Sequence, residues 1–168
     1  MPFVPITGPI VADTVYINNT LVAKDVGATF PEVTPITADL QVMGTLSIPI
    51  WQLLEDMEAS ITKVGTDMGL SKMVVAETVN AEFRWVHTST DANGNTKNVG
   101  CKAFFKMIPK LIPGTEFAVG EASENEVTFT VLRYQVFIDG QEAWLIDRLS
   151  GIVRINGNDY SSNVNSML

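Results

Sequence analysis

His87 and Cys101 are the only histidine and the only cysteine in the chain, and as a pair they would offer nucleophilic chemistry, a thiolate raised by an imidazole base. Their positions argue against it. His87 continues the parity of Phe83 and Trp85 on a strand-like run and reads as a packed or rim side chain. Cys101 shares a face with Ala103 and Phe105 and reads as a core cysteine. One cysteine and one histidine cannot supply a common structural zinc set, and neither a glycine-rich phosphate loop nor a nucleophile elbow is present. The carboxylate pairs Glu55–Asp56 and Glu124/Glu126 read as solvated acids. The remaining charged pattern is a basic row, Lys102, Lys106 and Lys110, followed by an acidic stretch carrying Glu116, Glu121, Glu124 and Glu126. The row is either a solvated face or a surface that meets acid on a neighbouring subunit. No catalytic residue, cofactor or metal is expected, and no enzyme.

The elements that must carry these residues are bounded by composition. A chain of 168 residues is expected to form one domain, 1–168, with a core large enough to fold without staples. Charged residues make up 18%, against about 25% in an ordinary domain, while hydrophobic residues reach 46%. That balance implies more buried surface than one core needs, as in an obligate oligomer. The net charge of −8 repels phosphate, so tight nucleic-acid binding is not expected. The start lacks a basic region and is broken by Pro2, Pro5 and Pro9, so no signal peptide is expected; no run is long enough to span a membrane. Synthesis in a cytoplasm follows.

Along the chain, residues 1–13 are Pro-rich and without period, an extended arm either disordered or laid on a partner. TVYI, Asn18-Asn19 and LVAKDVGATF predict a first hairpin, and Pro31 and Pro35 bracket a bend. From Ile36 to Ile50 apolar residues alternate with Thr37, Asp39, Gln41, Thr45 and Ser47, predicting one strand of about 15 residues with Gly44 as a bulge. Residues 50–64 fit a helical stripe or a strand equally. Thr66-Asp67 offers an N-cap to a short helix, MGLSKMVVA. Val79 to Trp85 and Cys101 to Met107 predict a second hairpin around DANGNTKN. Asp139-Gly140 between apolar runs predicts a type I′ hairpin turn. On its first strand the apolar parity switches between Val131 and Leu132, which requires either a bulge near 131–133 or burial on both sides. A polar tail, 160–168, closes the chain, and Asn158 or Asp159 is placed to cap a last helical turn.

The C-terminal third, YQVFIDGQEAWLID followed by VRINGND, resembles the ending of the major tail tube proteins of contractile phage tails. Tyr134, Asp139, Gly140, Ile146, Asp147, Asn156, Gly157 and Asp159 occupy that family's Tyr strand, "DG" turn, Ile-Asp strand end and "VNG-D" segment. Upstream, Phe30, Pro31, Val33 and Thr34 resemble its "LPxLT" strand, and residues 57–62 with Gly65 resemble "LEASFTxxG", which tips that segment towards strand. The chain departs from the family in its Pro-rich start and in a tail without basic residues near the end.

The resemblance implies a mainly β fold, a β-sandwich or partial barrel with a short flanking α-helix, similar to the type VI secretion tube. It also implies hexameric rings whose sheets close into one large barrel and stack into a hollow tube, the conduit for DNA ejection or the tube of a genome-free bacteriocin. The implied partners are further copies of the chain, a sheath protein, a baseplate initiator, a tape-measure protein and DNA only in transit, in a virion tail assembled in the host cytoplasm. Because a cationic bore would hold phosphate, an acidic or neutral wall is expected, with Asp39, Gln41 and Glu82 facing it. Glu116, Glu121, Glu124, Lys102, Lys106 and Lys110 are the expected inter-subunit charges.

Overall fold

The computed structural model describes residues 2–168; Met1, the first residue of the expected arm, lies outside the described residues. The elements are β1 (Ile6–Ile17), β2 (Thr20–Lys24), β3 (Gly27–Thr29), β4 (Pro35–Gln41), β5 (Thr45–Leu54), β6 (Glu58–Val64), α1 (Met68–Met73) and β7 (Val79–Thr90). They continue with β8 (Thr96–Pro109), β9 (Glu124–Ile138), β10 (Gln141–Asp147), β11 (Ile152–Ile155), β12 (Asn158–Asp159) and α2 (Ser162–Asn165). The architecture is mainly β, with antiparallel sheets, as the resemblance implied, and no barrel closes among the described residues.

Local chemistry accounts for most of the joints. Asn18 and Asn19 (φ 48° and 65°) close β1–β2, and Asp139 and Gly140 (φ 50° and 79°) close β9–β10, the positive-φ pairs that a two-residue hairpin needs. Asp67 caps α1 by accepting the Leu70 amide at 3.0 Å, while the nearly buried Lys63 ammonium reaches its other oxygen at 2.6 Å. The helix ends at Met73, before the β-branched pair Val74-Val75, so it is shorter than the run MGLSKMVVA.

Three expectations are resolved or corrected. Residues 6–13 are not a free arm: they belong to β1 and pair along β7, from Ile6 opposite Thr90 to Ile17 opposite Ala81. Register shifts between Thr7 and Ala12, around Gly8 and Pro9, erase the period that would have shown the strand. The stretch 36–50 is not one strand but the β4–β5 hairpin, and Gly44 (φ 123°) lies in its turn with Met43 (φ 49°). The register pairs Ile36 with Ile50 and Leu40 with Leu46, even number with even number, so parity runs unbroken through the turn. Residues 45–54 and 58–64 are both strands, so the helical reading of 50–64 falls.

The switch of parity on β9 is a bulge, and the sheet divides there. Lys106 pairs with Arg133 but Met107 with Val131, leaving Leu132 as the extra residue. Before the bulge β9 is flanked by β6, and after it by β10, in the order β12-β11-β10-β9-β8-β7-β1-β2 with β6 and β3 branching off. The two limbs enclose a core containing Phe129, Met57, Ile61, Met107 and Ile146. Phe30 lies edge-on to Phe83, Trp85 and Phe105 with centroids 5.2, 5.3 and 5.2 Å away. It pins the start of the β4–β5 segment to the main sheet.

Candidate functional site

Because a strand alternates, the face of the sheet opposite the core is set by the same register that buries Phe83, Phe105 and Val136. Glu82 lies opposite Phe104, Arg84 opposite Lys102, and Asn80 opposite Lys106; one strand further on, Phe104 meets Gln135, Lys102 meets Phe137 and Lys106 meets Arg133. The result is a polar wall across the central strands, interrupted by one aromatic pair: Phe104 and Phe137 pack edge to face at 5.8 Å and 88°.

The acids of this wall are engaged. Glu82 accepts the Arg84 Nε–H at 2.6 Å, and that guanidinium sits 4.6 Å over the Tyr16 ring. Asp147 accepts the amides of Leu149 and Ser150, both at 3.0 Å, and lies 3.8 Å from Arg133. Glu142 takes Arg154 Nε at 2.5 Å, Arg154 Nη2 at 3.1 Å and Gln135 Nε2 at 2.6 Å. The Arg154 bonds, helped by Gln135, hold the Glu142 carboxyl below the ordinary glutamate value. A carboxylate depressed in this way contributes stability that is present above its unfolded pKa and lost as pH falls through the folded one. Acidification from neutrality to about pH 3 is therefore expected to lower the urea midpoint of the native chain further than that of Glu142→Gln. Equal losses would show that the Arg154–Glu142–Gln135 bridge does not hold in solution.

The expected bore residues do not converge. Glu82 is on the polar wall, whereas Asp39 and Gln41 are on the β4–β5 hairpin, where Asp39 accepts the Ser47 hydroxyl and Gln41 pairs with Thr45. The lysine row also divides. Lys110 is bound by Glu58 and lies 3.8 Å from Asp56, while among the described residues Lys102 and Lys106 have no carboxylate within 4 Å. Glu116 and Glu121 lie on the exposed β8–β9 connection and Glu124 starts β9; among the described residues none of them forms an ion pair with the lysines.

Two surfaces are apolar and uncovered. On β4–β5, Ile36, Leu40, Leu46 and Ile48 are 40–49% exposed, and Met43 at the tip is fully exposed. Among the described residues the hairpin is fastened at its base, where Leu54 enters the core and Trp51 packs against it, Arg148 donates to the carbonyls of Leu54 and Glu55, both at 3.2 Å, and Gln52 donates to that of Tyr160 at 2.8 Å. On the β8–β9 connection Ile112, Phe117 and Val119 stand in solvent beside the acids. The sequence reading missed the Phe104–Phe137 pair; alternation beside Lys102 and Lys106 was the signal that could have found Phe104, but Phe137 needed the cross-strand register.

The Cys101 sulfur lies 3.5 Å from His87 Nδ1, but burial pushes the thiol up, away from the reactive thiolate. Among the described residues no group of three His, Cys, Asp or Glu is placed to hold a metal, and no helix is long and apolar enough to cross a membrane.

Comparison with known proteins agrees with this architecture. No curated protein matches in sequence. A chain of the sheath-tube complex of an extracellular contractile injection system, PVC, in its extended state is similar in fold, with TM-score 0.55 at 10% identity over 77% of this chain and 90% of that one. A chain of the PVC sheath/tube terminator in the extended state gives 0.52 at 10% identity, over 77% and 95%. The family described as phage tail tube protein FII matches residues 10–168, from the paired part of β1 to the last residue. The forked sheet with its polar wall and uncovered apolar hairpin is the fold of a chain that belongs to the phage tail tube protein FII family, as a structural subunit of a tail tube.

Proposed function

We propose that the chain assembles into hexameric rings that stack as the hollow inner tube of a contractile tail, wrapped by sheath subunits and started on a baseplate. The observation that carries this reading is the β4–β5 hairpin: an apolar strand pair held at its base, which water disfavours and a neighbouring copy would cover. The edge of β1 from Ile6 to Ala12, beyond its pairing with β2, is open for a ladder to the next subunit, as closure of a ring of sheets needs. Glu116, Glu121 and Glu124, with Phe117 and Val119 beside them, belong to the contacts between subunits or with the sheath, at no more than about 1 kcal/mol for each exposed ion pair. The polar wall bearing Glu82 faces the bore, and the hairpin with Asp39 and Gln41 reaches the adjoining ring. The particle is a tail or tail-like body assembled in a bacterial cytoplasm, with a tape-measure polypeptide in the bore before discharge.

Whether the tube discharges DNA or belongs to a genome-free particle turns on the wall. Among the described residues Lys102 and Lys106 have no carboxylate within 4 Å and attract a passing phosphate chain locally, while the net charge of −8 opposes its retention, so the DNA conduit stands with the genome-free tube as its alternative. Electron microscopy of the purified protein beside a solution mass tests the assembly. Hollow rings or filaments of six-fold symmetry are expected. A monomer at every concentration, even with a baseplate nucleus supplied, would overturn the tube.

A further inference from the structure

The polar wall has a feature that lining a channel does not require. Its acids Glu82, Glu142 and Asp147 are all occupied within the chain, whereas among the described residues Lys102 and Lys106 have no carboxylate within 4 Å. Between them on the same strand stands Phe104, backed by Phe137. A shallow groove opens on each side of this ridge. One, of ≈ 270 Å³, is lined by Gly100, Lys102, Phe104, Phe137 and Gly140. The other, of ≈ 370 Å³, includes Glu82, Phe104, Lys106, Arg133 and Asp147. Neither Gly100 nor Gly140 carries a side chain to fill the first, and a Cβ at Gly100 would meet nothing within 4 Å.

We propose that the Lys102–Phe104–Lys106 ridge binds an extended acidic polypeptide of pattern acid–x–apolar–x–acid, a segment of what the tube holds. Two lysines four positions apart on a strand are about 13 Å apart at ~3.3 Å per residue. Carboxylates at i and i+4 of an extended partner match that span, and the apolar side chain at i+2 lands on Phe104. The chain's own acidic segment spaces Glu116 and Glu121 by five and is the poorer match. Nucleic acid fits less well. The two rings meet edge to face at 88°, so they offer no flat shelf on which successive bases stack. The chain's net charge of −8 repels a long polyanion, while a short acidic segment feels mainly the local pair, because screening confines fields to about 8–10 Å. The placement of the ridge in the bore rests on the tube reading, but its binding does not.

The test is fluorescence anisotropy of the full-length protein with a labelled Glu-Thr-Leu-Thr-Glu peptide, and separately with labelled oligothymidylate. The peptide is expected to bind, with affinity falling about tenfold or more in Lys102→Glu/Lys106→Glu and on raising salt. Gly100→Val, which leaves charge unchanged and suits a strand, is expected to weaken the same peptide by filling the groove. Circular dichroism checks that both variants fold. No binding, binding indifferent to Lys102→Glu/Lys106→Glu, or tighter binding of oligothymidylate would overturn the proposal. Micrographs of the same preparations keep the two readings apart, since absence of rings sinks the tube and leaves the peptide result standing.

Discussion

Replacing Leu40 and Leu46 together by glutamate is expected to leave the subunit folded and to abolish tubes. The two leucines are cross-strand partners on the apolar face of β4–β5, 45% and 49% exposed, outside the core. Substitutions at such positions cost the fold little, of the order of 0.5 kcal/mol each, with a further fraction from like charges placed opposite one another. In an assembled tube the same side chains would lose their remaining exposure. Full burial of a leucine contributes roughly 1.5–3 kcal/mol, so the half still open gives about 1 kcal/mol per residue, and the loss recurs at every subunit of every ring. Introducing two carboxylates adds the larger cost of burying charge without a partner. Thermal melting should therefore be nearly unchanged while filaments vanish from micrographs and sedimentation shows small species. The Leu40→Thr/Leu46→Thr variant, which suits a strand and adds no charge, is expected to give shorter tubes. Normal tubes in the glutamate variant would remove the hairpin face from the assembly.

What the sequence made legible follows from which signals are local. The Asn18-Asn19 and Asp139-Gly140 turns and the Asp67 cap depend on residues within four positions of each other, and all three form as their chemistry dictates. The parity switch at Val131 to Arg133 left a bulge and burial on both sides as equal readings, and neither shows that the sheet forks there, because the fork needs both β6 and β10 in register. Parity failed where two sections of chain share it: pairing of even with even positions made the β4–β5 hairpin look like a single strand. It failed again at Gly8 and Pro9, whose register shifts erased the pattern of β1. Charge reading failed for Lys110, whose partner Glu58 is 52 positions away. Long-range pairing likewise decides that Lys102 and Lys106 are left without acids. Types and spacing gave the row; topology decided which members of it are free.

Phe105→Ala is expected to destabilise the sheet strongly, and its consequence reaches the polar wall. Phe105 is 3% exposed, stacks on Tyr134 at 4.8 Å and 12°, and meets Phe30 and Phe83 edge-on at 5.2 and 5.5 Å. Removing a buried phenyl ring typically costs about 3–5 kcal/mol, from a total stability of about 5–15 kcal/mol. At about 2–4 °C per kcal/mol for a chain of this size, the melting temperature should fall by roughly 6–20 °C. Tyr134, whose phenol burial pushes up to about 12, would be opened to water beside the cavity, so its titration should move back towards the ordinary value of 10.0. That gives a second readout, by ultraviolet difference spectra, independent of global stability. Phe30 would lose one of the rings that hold the approach to β4–β5, so the variant should also assemble less well than Phe105→Leu, which retains much of the volume. A fall in stability below about 1 kcal/mol would mean that the cluster relaxes around the deletion and does not fix the wall. Phe105 alternates with Phe104 and Lys106 on β8, so a strand that loses its inward anchor also loses the outward spacing of the lysine ridge. Peptide affinity should therefore fall with Phe105→Ala even though no side chain of the wall has changed.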